Sequence, residues 1–221
     1  QVTEKFLQMA RGKYVPMLGS PLNLPAATPA EIIPANLPLQ LTPFIGREAE
    51  LAEIATLLAD PACRLLTLVG PGGMGKTRLA LQAATEALDV FAHGVCYVRL
   101  ASLGSHEFLI TTIADALNLS FHGTAEPKAQ VMDHLQNKEC LLLLDNFEHI
   151  LVGATLLSKI VMAASGVKLL VTSRERLNLQ EEWVYDLQGM TFPETNADQT
   201  SKVLETFEVF FRQTASTGRS L

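Results

Sequence analysis

Short apolar runs alternate with amphipathic stretches along the chain after Phe44. The apolar runs predict buried strands at residues 65–69, 95–100, 140–144, 168–172 and 183–187. Helical spacing of the apolar residues between them predicts helices at residues 75–88, 106–117, 127–136, 148–164 and 202–214. A further helix precedes the first strand, with Leu51, Ile54, Leu57 and Leu58 on one face and Asp60-Pro61 at its end. Because strands that are apolar on both faces and separated by helices form parallel sheets covered on both sides, we predict an α/β fold with five parallel strands.

The chain before this regular pattern is rich in proline. Seven of the eleven prolines lie between Pro16 and Pro43, and no aromatic residue lies between those two positions. Such a stretch cannot form a core, so residues 15–42 are predicted to be an extended linker. Residues 1–14 carry apolar and basic side chains and a helix-stopping Gly12, and we predict that they form the last helix of an upstream domain.

The composition narrows the class of protein. Hydrophobic residues make up 48% of the chain, which excludes wholesale disorder and fibrous folds. The net charge is −6, from 17 Lys and Arg against 23 Asp and Glu. Because an acidic surface repels phosphate backbones, we do not expect most of this chain to bind nucleic acid. The cysteines, Cys63, Cys96 and Cys140, form no C-x-x-C pair and are expected to be buried and reduced. No apolar run is long enough for a membrane span and no secretory signal opens the chain, so we expect a cytoplasmic protein without a membrane partner.

The strongest motif follows the first predicted strand and opens the next helix. It matches G-x-x-x-x-G-K-[ST] and consists of Gly70, Pro71, Gly72, Gly73, Met74, Gly75, Lys76 and Thr77. Glycines let the backbone turn several N–H groups inward into an anion-binding nest, and the helix N-terminus adds its dipole. Lys76 could then reach the β- and γ-phosphates of a nucleotide, and the Thr77 hydroxyl could bind Mg²⁺. The alternative is a glycine-rich turn without a ligand, but the strand–loop–helix context favours nucleotide binding. We predict that the next residue, Arg78, also contacts the nucleotide.

A carboxylate ends the run of four leucines in the third predicted strand. Asp145 lies at the carboxyl end of that strand, where strands of such sheets present ligand residues. A magnesium–nucleotide site needs a carboxylate near Thr77, and we predict that Asp145 supplies it. Its alternative role is to cap the helix that follows.

The residues after Asp145 bear on hydrolysis. Nucleotide-hydrolysing sites often have a second acid at the next position, but here it is Asn146, whose amide is a poor base. Hydrolysis is therefore expected to be slow. Glu148, at the start of the predicted helix 148–164, is the nearest alternative catalytic base. Otherwise it is an acid that interacts favourably with the helix dipole.

A polar cluster, Thr172-Ser173-Arg174, ends the fourth predicted strand. It should face the same edge of the sheet as the phosphate loop. Arg174 could therefore contact the γ-phosphate in one nucleotide state and release it in the other, with a catalytic or sensing role. The alternative is a solvated loop in which Arg174, Glu175 and Arg176 pair among themselves.

The base of the nucleotide can be addressed in part. Guanine-specific enzymes of this class usually carry an Asn-Lys-x-Asp segment after a strand. The nearest segment here, Asn137-Lys138-Glu139-Cys140, lacks the Asp and precedes a strand. We therefore expect ATP or ADP, with Mg²⁺, as the cofactors. The five histidines show no metal-ligand spacing.

The order of these motifs resembles that of the STAND class of signal-transduction ATPases, especially the NB-ARC-like modules of large bacterial transcriptional regulators. The shared order is Pro43-Phe44-Ile45-Gly46-Arg47-Glu48, then residues 70–77, 141–149 and 172–174. The resemblance implies a P-loop NTPase fold, a three-layer sandwich with strand order 5-1-4-3-2. It also implies that Phe44, Ile45, Gly46 and Arg47 contact adenine and ribose, that Asp145 binds magnesium and that Arg174 is the sensor. From the residues alone, Phe44 and Ile45 could instead form a hydrophobic staple for the next helix.

The same resemblance implies how the chain is divided and what it contacts. Residues 43–190 would be the nucleotide-binding domain and residues 191–221 the start of a helical subdomain. The front end is similar to the junction after an XRE-type helix-turn-helix domain, so DNA would be bound only through that upstream domain. The implied function is an ATP/ADP switch that slow Mg-dependent hydrolysis resets, with self-association of the full-length protein in the ATP state. The alternatives are a turnover ATPase that loads or remodels other molecules and a nucleotide-binding scaffold without hydrolysis.

Overall fold

The computed structural model describes residues 36–189. Its strands are β1 Leu65–Val69, β2 Val95–Arg99, β3 Leu141–Asp145, β4 Lys168–Ser173 and β5 Glu182–Asp186. Its α-helices are α1 Glu48–Ala59, α2 Lys76–Glu86, α3 Leu109–Ala116, α4 Pro127–Gln136 and α5 Thr155–Ala163. None of the helices within residues 36–189 is long and apolar enough to cross a membrane. The helices predicted at residues 1–14 and 202–214, most of the predicted linker and the division at residue 190 lie outside the described residues.

All five strands form one parallel sheet in the order β2-β3-β4-β1-β5. Read from its other edge, this is the predicted order 5-1-4-3-2, and the predicted fold is confirmed. β1 lies between β4 and β5, with Val69 opposite both Ser173 and Asp186. The carboxyl ends of β1, β3 and β4 therefore lie on one edge, which brings together the loops after Val69, Asp145 and Ser173.

Alternate side chains of the inner strands enter two cores, one on each face of the sheet. Leu142 and Leu144 of β3 join the core formed with α3, α4 and α5, and Leu141 and Leu143 join the core formed with α1 and α2. The inner strands read as continuous apolar runs because helices cover both faces. The edge strand β5 is only half-buried, and its Trp183 is 39% exposed. The result is the predicted three-layer sandwich.

The helix predicted at residues 148–164 is wrong in its first half. Two 3₁₀ turns, Phe147–His149 and Leu151–Ala154, precede α5. The backbone at Ile150, with φ of −136° and ψ of 33°, is incompatible with a continuous helix. Glu148 therefore lies in a tight turn, and its predicted alternative role at the start of an α-helix does not apply. The predicted helix 106–117 similarly opens with a 3₁₀ turn, His106–Phe108.

Basic side chains close the amino edge of the sheet. Arg64, just before β1, donates to three carbonyl oxygens at and after the C-terminus of α5. Lys168, the first residue of β4, donates to the carbonyl oxygens of Leu58 and Asp60 at the C-terminus of α1. Cations stabilise the unpaired carbonyls and the negative dipole end of a helix. These contacts hold α1 and α5 to the edge opposite the candidate site.

The three cysteines are expected to be unreactive in the native protein. All are free and buried, and burial raises the pKa of Cys63 to about 11 and the pKa of Cys96 and Cys140 to about 12. The thiolate is the reactive form, and at pH 8 a pKa of 12 leaves about one thiol in 10,000 ionised. A chromogenic disulfide reagent should therefore label no cysteine within minutes in buffer and all three in denaturant. Rapid labelling of the native protein would contradict this burial.

Candidate nucleotide site

The glycine-rich loop joins β1 to α2 in a conformation that requires its glycines. Gly73 and Gly75 have φ of 78° and 82°, in the left-handed region that side chains disfavour. At Gly70 a Cβ atom would lie 3.0 Å from the carbonyl oxygen of Leu187, at the end of β5. Gly75 is the residue before the first turn of α2, so the free N–H groups of that turn point into the loop. The loop therefore has the shape and polarity of an anion-binding nest.

Lys76 lies beneath this loop. Its ammonium donates to the carbonyl oxygens of Gly70 at 2.7 Å and Pro71 at 2.9 Å, and only 9% of the residue is exposed. Burial lowers the pKa of Lys76, while the nearby carboxylates of Glu148 and Asp145 act in the opposite direction. A cation that is partly desolvated and held by neutral carbonyls interacts strongly with an incoming anion.

Three hydroxyl groups from three different elements converge on the carboxylate of Asp145, which is 4% exposed. Oδ1 accepts from the Thr77 hydroxyl of α2 at 2.7 Å and from the Thr172 hydroxyl of β4 at 2.6 Å. Oδ2 accepts from the Tyr97 hydroxyl of β2 at 3.1 Å. Burial, together with the Asp145 carboxylate, raises the pKa of Tyr97 to about 12, so the phenol remains a donor. Asp145 thus lies next to Thr77, as the sequence predicts.

Glu148 and Arg174 form an ion pair beside the loop. Arg174 Nε lies 3.2 Å from Glu148 Oε1, which also accepts from the Asn146 amide at 3.5 Å. The side chain of Arg174 is 60% exposed, whereas that of Glu148 is 9% exposed. The other oxygen, Glu148 Oε2, is buried without a hydrogen-bond partner among residues 36–189. An unpaired buried acceptor is costly, so Oε2 is a position where a polar group from a ligand or a water would be stabilised.

A polar cavity of about 440 Å³ lies above the loop. Its walls are the glycine-rich loop, the N-terminus of α2 and polar side chains from the ends of β3 and β4, namely Asn146, Glu148, Thr172 and Arg174. Gln40 closes it on the side of the predicted linker. Three of the four candidate catalytic residues, Lys76, Glu148 and Arg174, therefore line the same cavity, whereas the fourth, Asp145, is not among its lining residues.

A second cavity, of about 420 Å³, adjoins the first and shares residues 73–75 and Arg78 with it. Its other walls are more apolar and include Phe44 and Ile45, the latter 75% exposed. The polar cavity and the more apolar one therefore share the glycine-rich loop as a common wall. The staple interpretation of Phe44 does not hold, because α1 begins at Glu48 and the residue before its cap, Gly46, has no side chain.

Two predicted nucleotide-binding arginines bind backbone carbonyls of this protein. Arg47 donates to Met74 O and Gln188 O, both at 3.1 Å, and pairs with Glu50 at 3.0 Å. Its own backbone and that of Gly46 are left-handed, with φ of 65° and 73°. Arg78 donates to the carbonyl oxygens of Thr42 and Pro43, at 2.7 Å and 2.6 Å. In these positions both guanidinium groups fasten neighbouring segments to the loop and to α2.

Sequence reasoning missed the roles of Tyr97 and Thr172 at Asp145. Tyr97 carries a hydroxyl between the apolar residues Cys96 and Val98 of β2, on the face that α2 covers, and β2 pairs directly with β3. These two signals together could have identified it once the strand order was known. Within residues 36–189, no group of three or more His, Cys, Asp and Glu side chains could bind a metal by itself. A cation at Asp145 would therefore need ligands from hydroxyls, water or phosphate.

The chain is similar to known proteins in sequence and in fold. The family model of the AAA ATPase domain matches residues 43–221. A candidate HTH-type transcriptional regulator of Mycobacterium tuberculosis is 34% identical over 166 residues, which cover 70% of this chain and 18% of the regulator. The regulatory protein AfsR of Streptomyces griseus is 30% identical over 187 residues, which cover 79% of this chain and 19% of AfsR. The structure of Drosophila ORC bound to DNA has a TM-score of 0.55 at 16% identity, over 79% of this chain and 50% of that chain.

These similarities differ in what they establish. At 16% identity, the ORC structure shows a shared fold only. The chain spans between 18% and 36% of the length of the mycobacterial relatives that it matches, so it corresponds to one part of those proteins. The family match and the regulatory relatives confirm the resemblance indicated by the order of the motifs. Since the match extends over most of the sequence, the chain belongs to the AAA ATPase domain family.

Proposed function

We propose that this domain binds an adenine nucleotide with Mg²⁺ and acts as the switch of a transcriptional regulator, reset by slow hydrolysis. The observation that carries the proposal is the hydrogen bond of 2.7 Å between Thr77 and Asp145, directly beside the loop that buries Lys76. A hydroxyl on a carboxylate next to an anion-binding nest is the arrangement that a magnesium–phosphate complex needs.

The residues around Asp145 fit a magnesium ion. The donor set consists of carboxylate and hydroxyl oxygens, which Mg²⁺ prefers, and no described cation pairs with Asp145. Because Thr77 donates its proton to Asp145, the lone pairs of its oxygen remain free to bind a cation. Bound Mg²⁺ would neutralise part of the negative charge of the phosphates. Asp145 and Thr77 would hold it, and Lys76 with the loop N–H groups would bind the phosphate oxygens.

The apolar cavity supports adenine as the base. Phe44 and Ile45 offer it a hydrophobic surface, and Arg47 and Arg78 hold that surface against the loop. The segment that most resembles a guanine-binding motif, residues 137–140, lies between α4 and the amino end of β3. It is thus on the edge of the sheet opposite the loop and cannot reach the base.

Glu148 is our candidate for the base that activates the attacking water. Its Oε2 atom provides a buried, unpaired acceptor beside the polar cavity, whereas the Asn146 amide is not basic. Arg174 occupies the other oxygen of Glu148 and has an exposed, movable side chain. A γ-phosphate would attract Arg174 away from Glu148, so that one contact both senses the triphosphate and prepares the base. Hydrolysis that requires Arg174 to move from Glu148 to the γ-phosphate is consistent with slow turnover.

The rest of the regulator is proposed from the relatives. Residues 43–190 would form the nucleotide domain, residues 191–221 would begin a helical subdomain, and the upstream domain would bind DNA. The ATP state would allow the full-length protein to self-associate. The net charge of −6 supports assigning DNA binding to a segment other than this domain.

Hydrolysis should be slow and should depend on Glu148. We expect wild-type protein to retain adenine nucleotide after purification and to turn over ATP well below about 1 per second, the low end of the usual enzyme range. Glu148→Gln should lower that rate by about 100-fold or more, as expected for loss of a general base, while nucleotide affinity changes little. Chromatography of the nucleotide released on denaturation and a phosphate-release assay measure both quantities.

The matched control is Glu182→Gln, which alters a carboxylate that accepts from the backbone N–H groups of Leu177 and Asn178. It should leave the turnover rate unchanged. Turnover faster than 1 per second would instead indicate a motor or loader, and absence of any nucleotide binding would contradict the proposed function.

A further inference from the structure

We propose that Tyr97 is a positioning residue that orients the carboxylate of Asp145 for cation binding. The inference rests on the proposed function, because it concerns the same magnesium–nucleotide site. Its basis is the hydrogen bond of 3.1 Å between the Tyr97 hydroxyl and Asp145 Oδ2. Tyr97 does not line either cavity, so it would act through Asp145 and not on the nucleotide.

The distribution of donors on Asp145 explains why this bond matters. Thr77 and Thr172 both donate to Oδ1, and Tyr97 is the one donor to Oδ2 among the described residues. Two bonds to Oδ1 restrict that oxygen, but without Tyr97 no described residue would restrict Oδ2. The third bond, to the other oxygen, fixes the plane and hence the direction of the lone pairs. A partner that orients a ligand in this way typically affects metal affinity without touching the metal.

The position of Tyr97 in the sheet requires a long side chain. Tyr97 lies opposite Leu143, two residues before Asp145 on the neighbouring strand. Two residues of a strand span about 6.6 Å, so a serine or threonine hydroxyl at position 97 would not reach Oδ2. The ring of Tyr97 also packs against the core under α2, which gives the phenol a fixed direction.

The backbone of Tyr97 is fixed as well, by a residue from the segment before α1. The Asn36 side chain accepts from Tyr97 N at 2.6 Å and donates to Tyr97 O at 2.8 Å. β2 is an edge strand, so these two groups face away from β3 and would otherwise lack a partner in the sheet. Tyr97 is thus held at its backbone, its ring and its hydroxyl, as a residue that positions another group must be.

Tyr97→Phe tests the inference because it removes only the hydroxyl. We expect the Mg²⁺ concentration for half-maximal nucleotide binding to rise about 10-fold. Nucleotide affinity in the presence of a chelator should stay within about twofold of the wild type, since no contact with the nucleotide is lost. The measurement is a calorimetric titration of ADP into the whole chain at a series of Mg²⁺ concentrations.

The chain offers a matched control. Tyr185 is also half-buried against the core under α2, and its hydroxyl donates to a carboxylate, Glu53 Oε2, at 2.7 Å. Tyr185→Phe therefore removes the same kind of bond on the other side of β1 and should leave the Mg²⁺ dependence unchanged. A 10-fold shift for Tyr97→Phe alone supports the inference.

Other outcomes overturn it. If Tyr97→Phe and wild type show the same Mg²⁺ dependence, the hydroxyl does not orient Asp145. If Tyr97→Phe loses affinity equally with and without Mg²⁺ and also has a lower melting temperature, its role is structural. A wild-type protein that binds no adenine nucleotide at all would instead refute the proposed function, which separates the two failures.

Discussion

Lys76→Ala should abolish measurable nucleotide binding. The ammonium group of Lys76 is buried beneath the loop, 2.7 Å from Gly70 O, and no other lysine lines either cavity among the described residues. Hydrogen bonds to charged groups contribute about 1.5–3 kcal/mol each, so loss of two phosphate contacts corresponds to at least roughly 100-fold in Kd. Isothermal titration of ADP and ATP in the presence of Mg²⁺ measures the change.

Lys168→Ala is the matched control for this substitution. Lys168 is likewise partly desolvated, and its ammonium also donates to two backbone carbonyls, but at the opposite edge of the sheet. We expect it to lower the melting temperature without changing nucleotide affinity. If Lys76→Ala keeps wild-type affinity, the assignment of the phosphate site is wrong.

Asp145→Asn should separate Mg²⁺ binding from nucleotide binding. An amide cannot accept on both sides as a carboxylate does, and the substitution removes the charge that attracts the cation. We expect the Mg²⁺ concentration for half-maximal binding to rise by about 100-fold, the upper end of effects at such sites. In a chelator, nucleotide affinity should be unchanged or higher, because a negative charge near the phosphates has been removed.

The control for this charge change is Asp186→Asn. Asp186 also lies at the carboxyl end of its strand, opposite Val69 on the other side from Ser173, but its carboxylate is exposed and pairs with Arg176 at 3.0 Å. It should not alter the Mg²⁺ dependence. Equal shifts for Asp145→Asn with and without Mg²⁺ would show that Asp145 is a structural residue.

The parts of this fold that the sequence predicts well are those governed by local patterns. The leucine run of β3 is buried on both faces, so its apolar signal has no polar gaps, and Asp145 stands out at its end. The loop is equally readable, because the left-handed backbone of Gly73 and Gly75 demands glycine at fixed spacing. The bounds of single strands are less exact: the predicted range is one residue early for the fully buried β3 and one residue late for the half-buried β5.

The parts that could not be predicted depend on contacts between distant residues. Arg47 meets Gln188, 141 residues later, and Asn36 meets Tyr97, 61 residues later. Neither pair has a local signal in the sequence. The prediction of one continuous helix over residues 148–164 failed for a different reason. Its apolar residues fit helical spacing, but the backbone at Ile150 leaves the helical region, which periodicity does not report.

Two arginines connect stretches near both ends of the described residues to the surroundings of the loop. Arg78, in the first turn of α2, holds the carbonyls of Thr42 and Pro43 on the entry side. Arg47 joins Met74 in the loop to Gln188 on the exit side. Each of these two stretches of chain is therefore held beside the loop through one arginine side chain. Arg47 and Gln188, which lie 141 residues apart in the sequence, are thereby joined to one loop by a single side chain.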